Sequence, residues 1–151
     1  MSQENPIRLF VSHLYTPDDE YLRVFEYLES APNFFYVNLS TPDKAPPAAD
    51  KEGVKEHLRQ QMADAELVIV LASQHQKDSV MVEFQALYAK ACDKPVMLME
   101  PFGHGATVPA KLQELADEVI AWNSRDMSDA VRRLARDEET GRWDVVEFKL
   151  D

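Results

Sequence analysis

One cysteine, Cys92, and only four glycines in 151 residues exclude several classes of protein before any motif is sought. A single thiol forms no internal disulfide, the pattern of a chain that lives in a reducing compartment. Among so few glycines there is no G-x-G-x-x-G and no P-loop, so neither standard way of cradling a pyrophosphate on a helix N-terminus is present. The G-x-S-x-G elbow of the common α/β serine hydrolases is missing too. No apolar run reaches the roughly 18 residues of a membrane span. The polar start Met1-Ser2-Gln3-Glu4-Asn5-Pro6 lacks the basic and apolar regions of a signal peptide. Positive charge is scarce: 16 Lys+Arg stand against 27 Asp+Glu, a net charge of −11. Residues 1–75 carry −6 and residues 76–151 carry −5, so the acidity is not a tail. An even negative field repels polyphosphate backbones, which argues against broad binding of nucleic acid. The expectation is a soluble cytoplasmic protein with no membrane and no nucleic-acid partner.

What is present is a core. A chain of this length buries about two-thirds of the surface of its unfolded form, enough without metal or disulfide staples. Five short apolar runs recur: Ile7–Val11, Phe34–Val37, Leu67–Leu71, Pro95–Met99 and Val119–Trp122. Near-continuous apolar character without strict alternation is what parallel strands covered on both faces show. Segments of helical period lie between them. Tyr21, Val24, Phe25 and Leu28 form a one-sided stripe. Thr16-Pro17-Asp18-Asp19 opens that helix, with Thr16 as its hydroxyl cap and Pro17 in the first turn. Val54, Leu58 and Met62 mark a second helix, Val80, Phe84, Leu87, Tyr88 and Ala91 a third, and Met127, Ala130, Val131 and Leu134 the last, with a shorter one over 109–116. Strand alternating with helix five times predicts a three-layer α/β domain with right-handed crossovers. One domain spans 1–151, its core at about 7–136, and residues 137–151 form an extension that adds an edge strand or packs as a tail.

In such a sheet ligands bind outside the carboxyl ends of the strands. The residues there are Ser12-His13-Leu14-Tyr15, Asn38-Leu39-Ser40, Ser73-Gln74-His75 and Glu100 to Gly105. The proline-rich segment Ser40 to Asp50 has the length of a functional loop. A phosphoacceptor receiver would need an aspartate just past the third strand, where Ala72-Ser73 stands. His13, His75 and His104 each follow a different strand and could meet at a metal, but no short-range ligand spacing supports one, and three separately solvated histidines is the simpler reading. Glu83 sits at the margin of the third helix's stripe, where a carboxylate is partly desolvated and can face a pocket; a solvated surface glutamate is the alternative. Cys92 reads as a small buried apolar residue, and Arg132, Arg133 and Arg136 as a solvated face paired with acids.

The ordered set of local sequences resembles the TIR-like domains of the bacterial Thoeris antiphage system. The pieces are Leu9-Phe10-Val11-Ser12-His13, Ala31-Pro32-Asn33-Phe34, Asn38-Leu39-Ser40-Thr41-Pro42, Leu67 to Ala72, Glu83, Lys94-Pro95-Val96, Pro101-Phe102-Gly103 and Ala116 to Asn123. The resemblance implies a flavodoxin-like TIR fold with a five-stranded parallel sheet. It also implies NAD+ cleavage, with NAD+ as substrate and no other cofactor or metal, and Glu83 in the place of the catalytic glutamate. Ser12, His13, Tyr15, Asn38 and Ser40, with Ser73 nearby, would then form the substrate pocket. An enzyme of this kind, an NAD+ glycohydrolase or ADP-ribosyl cyclase, would make a cyclic ADP-ribose-type signal that activates a separate effector, and would self-associate. Two positions depart from the pattern: Ser79 stands where many TIR enzymes carry tryptophan four residues before the glutamate, and Phe102 replaces a tryptophan common in the family. The alternative is a non-catalytic TIR-like module that works by self-association or by binding a partner or nucleotide.

Overall fold

The structure is a computed structural model and describes residues 1–47, 50–103 and 107–138. His104 and the part of the C-terminal extension from 139 onward lie outside the described residues. Five strands, β1 (Ile7–Val11), β2 (Tyr36–Asn38), β3 (Leu67–Leu71), β4 (Val96–Met99) and β5 (Glu118–Ile120), make one parallel sheet in the order β2-β1-β3-β4-β5. Helices α1 (Asp19–Glu29), α2 (Lys51–Met62), α3 (Ser79–Ala91), α4 (Ala110–Leu115) and α5 (Ser124–Arg136) connect them, with a short 3-10 turn over Ala72–Gln76 after β3.

The apolar runs become strands because each must bury two faces. In β3 all five residues are buried, and successive side chains go to opposite layers. Leu67, Ile69 and Leu71 join Leu9, Val11, Met97 and Met99 beneath α1 and α5. Val68 and Val70 join Phe10, Val96 and Leu98 beneath α2, α3 and α4. Each fully buried side chain of this size is worth about 1.5–3 kcal/mol, so the central strands carry most of the driving force. The second and fifth strands are edges, shifted from the apolar runs to Tyr36–Asn38 and Glu118–Ile120, and their Val37 and Val119 are exposed.

Three local readings change. The α1 cap is Asp18, whose carboxylate accepts from the Glu20 and Tyr21 N–H groups, and Thr16 lies outside the helix. The residue before a proline is disfavoured in the helical region, so the cap falls to Asp18 beyond Pro17. On α3 the buried face is Met81, Val82, Gln85, Ala86 and Ala89, while Val80 and Leu87 of the expected stripe are 60% and 46% exposed. This helix is apolar almost all round, so periodicity alone does not select a face; Ala86 and Ala89 do, because small residues let the helix lie close to the sheet. Cys92 caps the end of α3 and is exposed, not buried.

The arginines of α5 pair with acids as expected but are less solvated. Arg136 forms a two-pronged ion pair with Glu66, Nε to Oε1 at 2.7 Å and Nη2 to Oε2 at 2.8 Å, which ties the end of α5 to the start of β3. Its neighbours Arg132 and Arg133 reach Asp129 and Glu118.

Candidate functional site

In the strand order, the chain leaves β1 toward β2 on one side and resumes at β3 on the other. The carboxyl ends of β1 and β3 are therefore the topological switch point, the expected crevice for a ligand. Here the crevice is filled by a side chain. Gln74, in the turn after β3 and 1% exposed, accepts from Ser12 Oγ at 2.7 Å and donates to Ser12 O at 3.0 Å and to Asp18 Oδ2 at 2.9 Å. Ser12 is fully buried, and its hydroxyl oxygen also accepts from the Leu71 N–H. Both hydroxyl functions of Ser12 are thus used within the fold, and Gln74 fixes the start of α1 through Asp18.

Beside Ser12, His13 is buried rather than a solvated loop residue, at 1% exposure. Its backbone N–H and C=O are both bound by the side-chain amide of Gln85 on α3. The Tyr15 N–H donates to His13 Nδ1, so the ring carries its proton on Nε2, which donates to Gln61 Oε1 at 2.8 Å. Burial pushes the imidazole below its ordinary pKa of 6.5, with the Gln61 bond and the charge of Asp43 opposing the shift. A neutral imidazole with both nitrogens satisfied by protein is a framework group.

Asn38 and Ser40, after β2, bond each other and Tyr21. Ser40 Oγ lies 2.7 Å from the Tyr21 hydroxyl, Asn38 Nδ2 donates to the same hydroxyl at 3.0 Å, and both the Ser40 hydroxyl and its backbone N–H donate to Asn38 Oδ1. Ser40 is buried, whereas Asn38 keeps an exposed surface.

Open space borders this network. One cleft of about 350 Å³ is lined by Tyr15, Pro17, Asp18, Tyr21, Leu22 and Pro42 among others. A second, of about 330 Å³, is lined by His13, Leu14, Tyr15, Val54, Asp78 and Met81 among others. Both sit at the small end of the range for ligand pockets. Tyr15 and Ala45 border both, so they are neighbouring halves with Tyr15 between them. Tyr15 holds a left-handed backbone, φ 60°, uncommon for a residue with a bulky side chain and frequent near functional loops. Burial raises its pKa above 10, with the Gln61 bond acting the other way.

Glu83 is on the flank of α3, two residues past the cleft-lining Met81, but lines neither cleft itself. Its Oε2 lies 2.6 Å from Nε2 of His75, in the turn after β3, and its side chain is 28% exposed. The other oxygen has no hydrogen-bond partner among the described residues. Ser73 stands on the same turn as His75, partly exposed, and lines neither cleft. His13 and His75 are thus committed to different partners, and among the described residues no three of His, Cys, Asp and Glu gather in the way a metal needs.

The sequence profile of the Thoeris protein ThsB TIR-like domain matches residues 10–105, from β1 to just past β4. The chain belongs to this Thoeris ThsB TIR-like family. No curated protein matches it significantly. Membership gives the protein a part in antiphage defence, and the five-stranded parallel sheet is that of a flavodoxin-like TIR domain. Every site residue the resemblance nominated in this ThsB-like domain falls inside the matched span; the piece from Ala116 to Asn123 lies beyond it. Among the described residues of the ThsB-like chain no helix is long and apolar enough to cross a membrane. Two glutamines escaped the sequence reading, Gln61 and Gln85, while Gln74 was placed at the strand ends without a role. The one available signal was an uncharged amide next to apolar helix positions, as with Gln61 before Met62 and Gln85 before Ala86.

Proposed function

We propose that this ThsB-like domain cleaves NAD+ and forms a cyclic ADP-ribose-type nucleotide that activates a separate effector. The observation that carries the reading is Glu83, a partly exposed carboxylate with one oxygen held by His75 and the other without a partner among the described residues, on the helix whose first turn borders the strand-end cleft. Breaking the bond between ribose C1′ and the nicotinamide nitrogen sends the electron pair to the pyridinium, which leaves neutral and needs no general acid. Positive charge develops on the sugar, and a fixed carboxylate stabilises it. In this reading His75 orients Glu83, whose free oxygen meets the ribose. Capture of C1′ by water gives ADP-ribose and releases a proton; capture by another nucleophilic atom of the same molecule gives the cyclic product. With a net charge of −11 and no glycine-rich phosphate loop, the domain holds the dinucleotide by local polar groups, and its affinity is modest.

A second reading rests on one observation: Ser12, His13, Asn38 and Ser40 spend most or all of their hydrogen-bonding groups on the protein, and Glu83 lines neither cleft. A non-catalytic module that self-associates or binds a partner needs no more than that. Nucleotide products profiled by mass spectrometry in infected cells separate the two. The enzyme reading expects an ADP-ribose-derived product with wild type and none with Glu83→Gln; the same product from both, or protection without any product, overturns it.

A further inference from the structure

Gln61, in the last turn of α2, binds three groups, two of which, on His13 and Tyr15, belong to residues that border the clefts. Its Oε1 accepts from His13 Nε2–H at 2.8 Å and from the Thr41 backbone N–H at 2.9 Å, and its Nε2 donates to the Tyr15 hydroxyl at 2.7 Å. The orientation of this amide is forced. The Thr41 N–H can only donate, and His13 must donate from Nε2 because its Nδ1 already accepts from Tyr15 N–H. A flipped amide would set its NH₂ against two donors. The Gln61 NH₂ therefore faces the phenol oxygen of Tyr15, and that oxygen accepts. The consequence concerns the phenol's own hydrogen: no described residue accepts it, and Tyr15 borders both clefts.

We infer that Gln61 is a positioning residue that sets the direction of the Tyr15 hydroxyl, turning its O–H into the cleft as a hydrogen-bond donor for an acceptor group on the bound ligand. In a cleft bordered by Asp18, Asp19 and Asp43, carboxylates that only accept when ionised, an aimed O–H supplies what an acceptor-rich ligand needs. On the reading of this site as a nucleotide site, on which the inference rests, that acceptor is an oxygen of NAD+. His13, at 1% exposure, acts from behind: its fixed tautomer dictates which way the amide points.

Two substitutions separate direction from architecture. Gln61→Glu keeps an acceptor for His13 and Thr41, but its second oxygen demands the Tyr15 hydrogen and takes it out of the cleft. Tyr15→Phe removes that hydrogen directly. Calorimetric titration of NAD+, in the Glu83→Gln background to prevent turnover, is expected to show each change weakening binding about three- to tenfold, the worth of one neutral hydrogen bond. The double variant should be no weaker than Tyr15→Phe alone, since both remove the same donor. Repulsion by the new carboxylate would instead weaken binding by the same factor in the Tyr15→Phe background, and that result overturns the inference, as does wild-type affinity in Gln61→Glu. A measurement without nucleotide keeps the inference separable from the nucleotide reading. The Tyr15 phenol, followed through its ring-carbon resonance by NMR against pH, should ionise at higher pH in Gln61→Glu than in wild type, and an unchanged titration overturns the assigned direction. If wild type binds no NAD+ while Tyr15 titrates as expected, the nucleotide reading falls and the hydroxyl direction stands.

Discussion

The ion pair between Glu66 and Arg136 gives the sharpest quantitative test of how the layers are joined. Glu66 accepts two bonds from the guanidinium of Arg136 and a third from the Arg8 N–H at 3.0 Å, so one carboxylate holds the entry to β1 and β3 against the end of α5. The hydrogen bonds from Arg136 are the main cause that lowers its pKa from 4.5 to about 2; burial opposes, and the bond and charge of Arg8 and the charge of Arg136 assist. At about 1.4 kcal/mol for each tenfold change in proton affinity, the drop sets a ceiling of about 3 kcal/mol. Water still reaches the pair, whose side chains are 16% exposed, and screening brings the expected contribution to about 1–2 kcal/mol. The folded pKa is depressed, so this stability is fully present above pH 4.5 and is lost as the pH falls toward about 2. Glu66→Gln should then lower the free energy of urea unfolding by about 1–2 kcal/mol near neutral pH, with the gap to wild type narrowing below about pH 4.5. A gap as wide at about pH 3.5 as at neutrality would refute the assignment of that stability to the ionised pair.

Other outcomes follow from the same geometry. Gln85→Leu strips the partners from the buried His13 N–H and C=O and should cost about 2–4 kcal/mol in denaturant unfolding. The α3 face assignment predicts that Val80→Asp stays within about 0.5 kcal/mol of wild type, whereas Ala86→Asp, which buries a lone carboxylate, prevents folding as judged by circular dichroism. Because the folded pKa of His13 is lowered, its contribution is fully present above about pH 6.5 and declines as the pH drops from there. A His13 NMR titration should therefore show a midpoint below the ordinary 6.5, and a midpoint at or above 6.5 would contradict it.

The sequence by itself determined the strand–helix alternation and the five-stranded parallel sheet. Those features rest on local periodicity: apolar runs such as Leu67–Leu71 can only be satisfied by burial on both faces, whatever the rest of the chain does. It also placed Glu83 on the flank of its helix, because a carboxylate among apolar neighbours marks the margin of a buried face. Tertiary structure decided everything that depends on which surfaces meet. The face α3 turns to the sheet was ambiguous in a helix apolar nearly all round, and close approach of Ala86 and Ala89 settled it. Whether a polar residue at a strand end faces solvent or protein was equally undecided. Ser12 and His13 stand at such a strand end, and Gln74, Gln85 and Gln61, 48 to 72 positions away in the chain, bring amides that consume their hydrogen bonds. A side-chain amide carries no periodic signature and no charge, and its role is fixed only by the donors and acceptors that the fold sets around it.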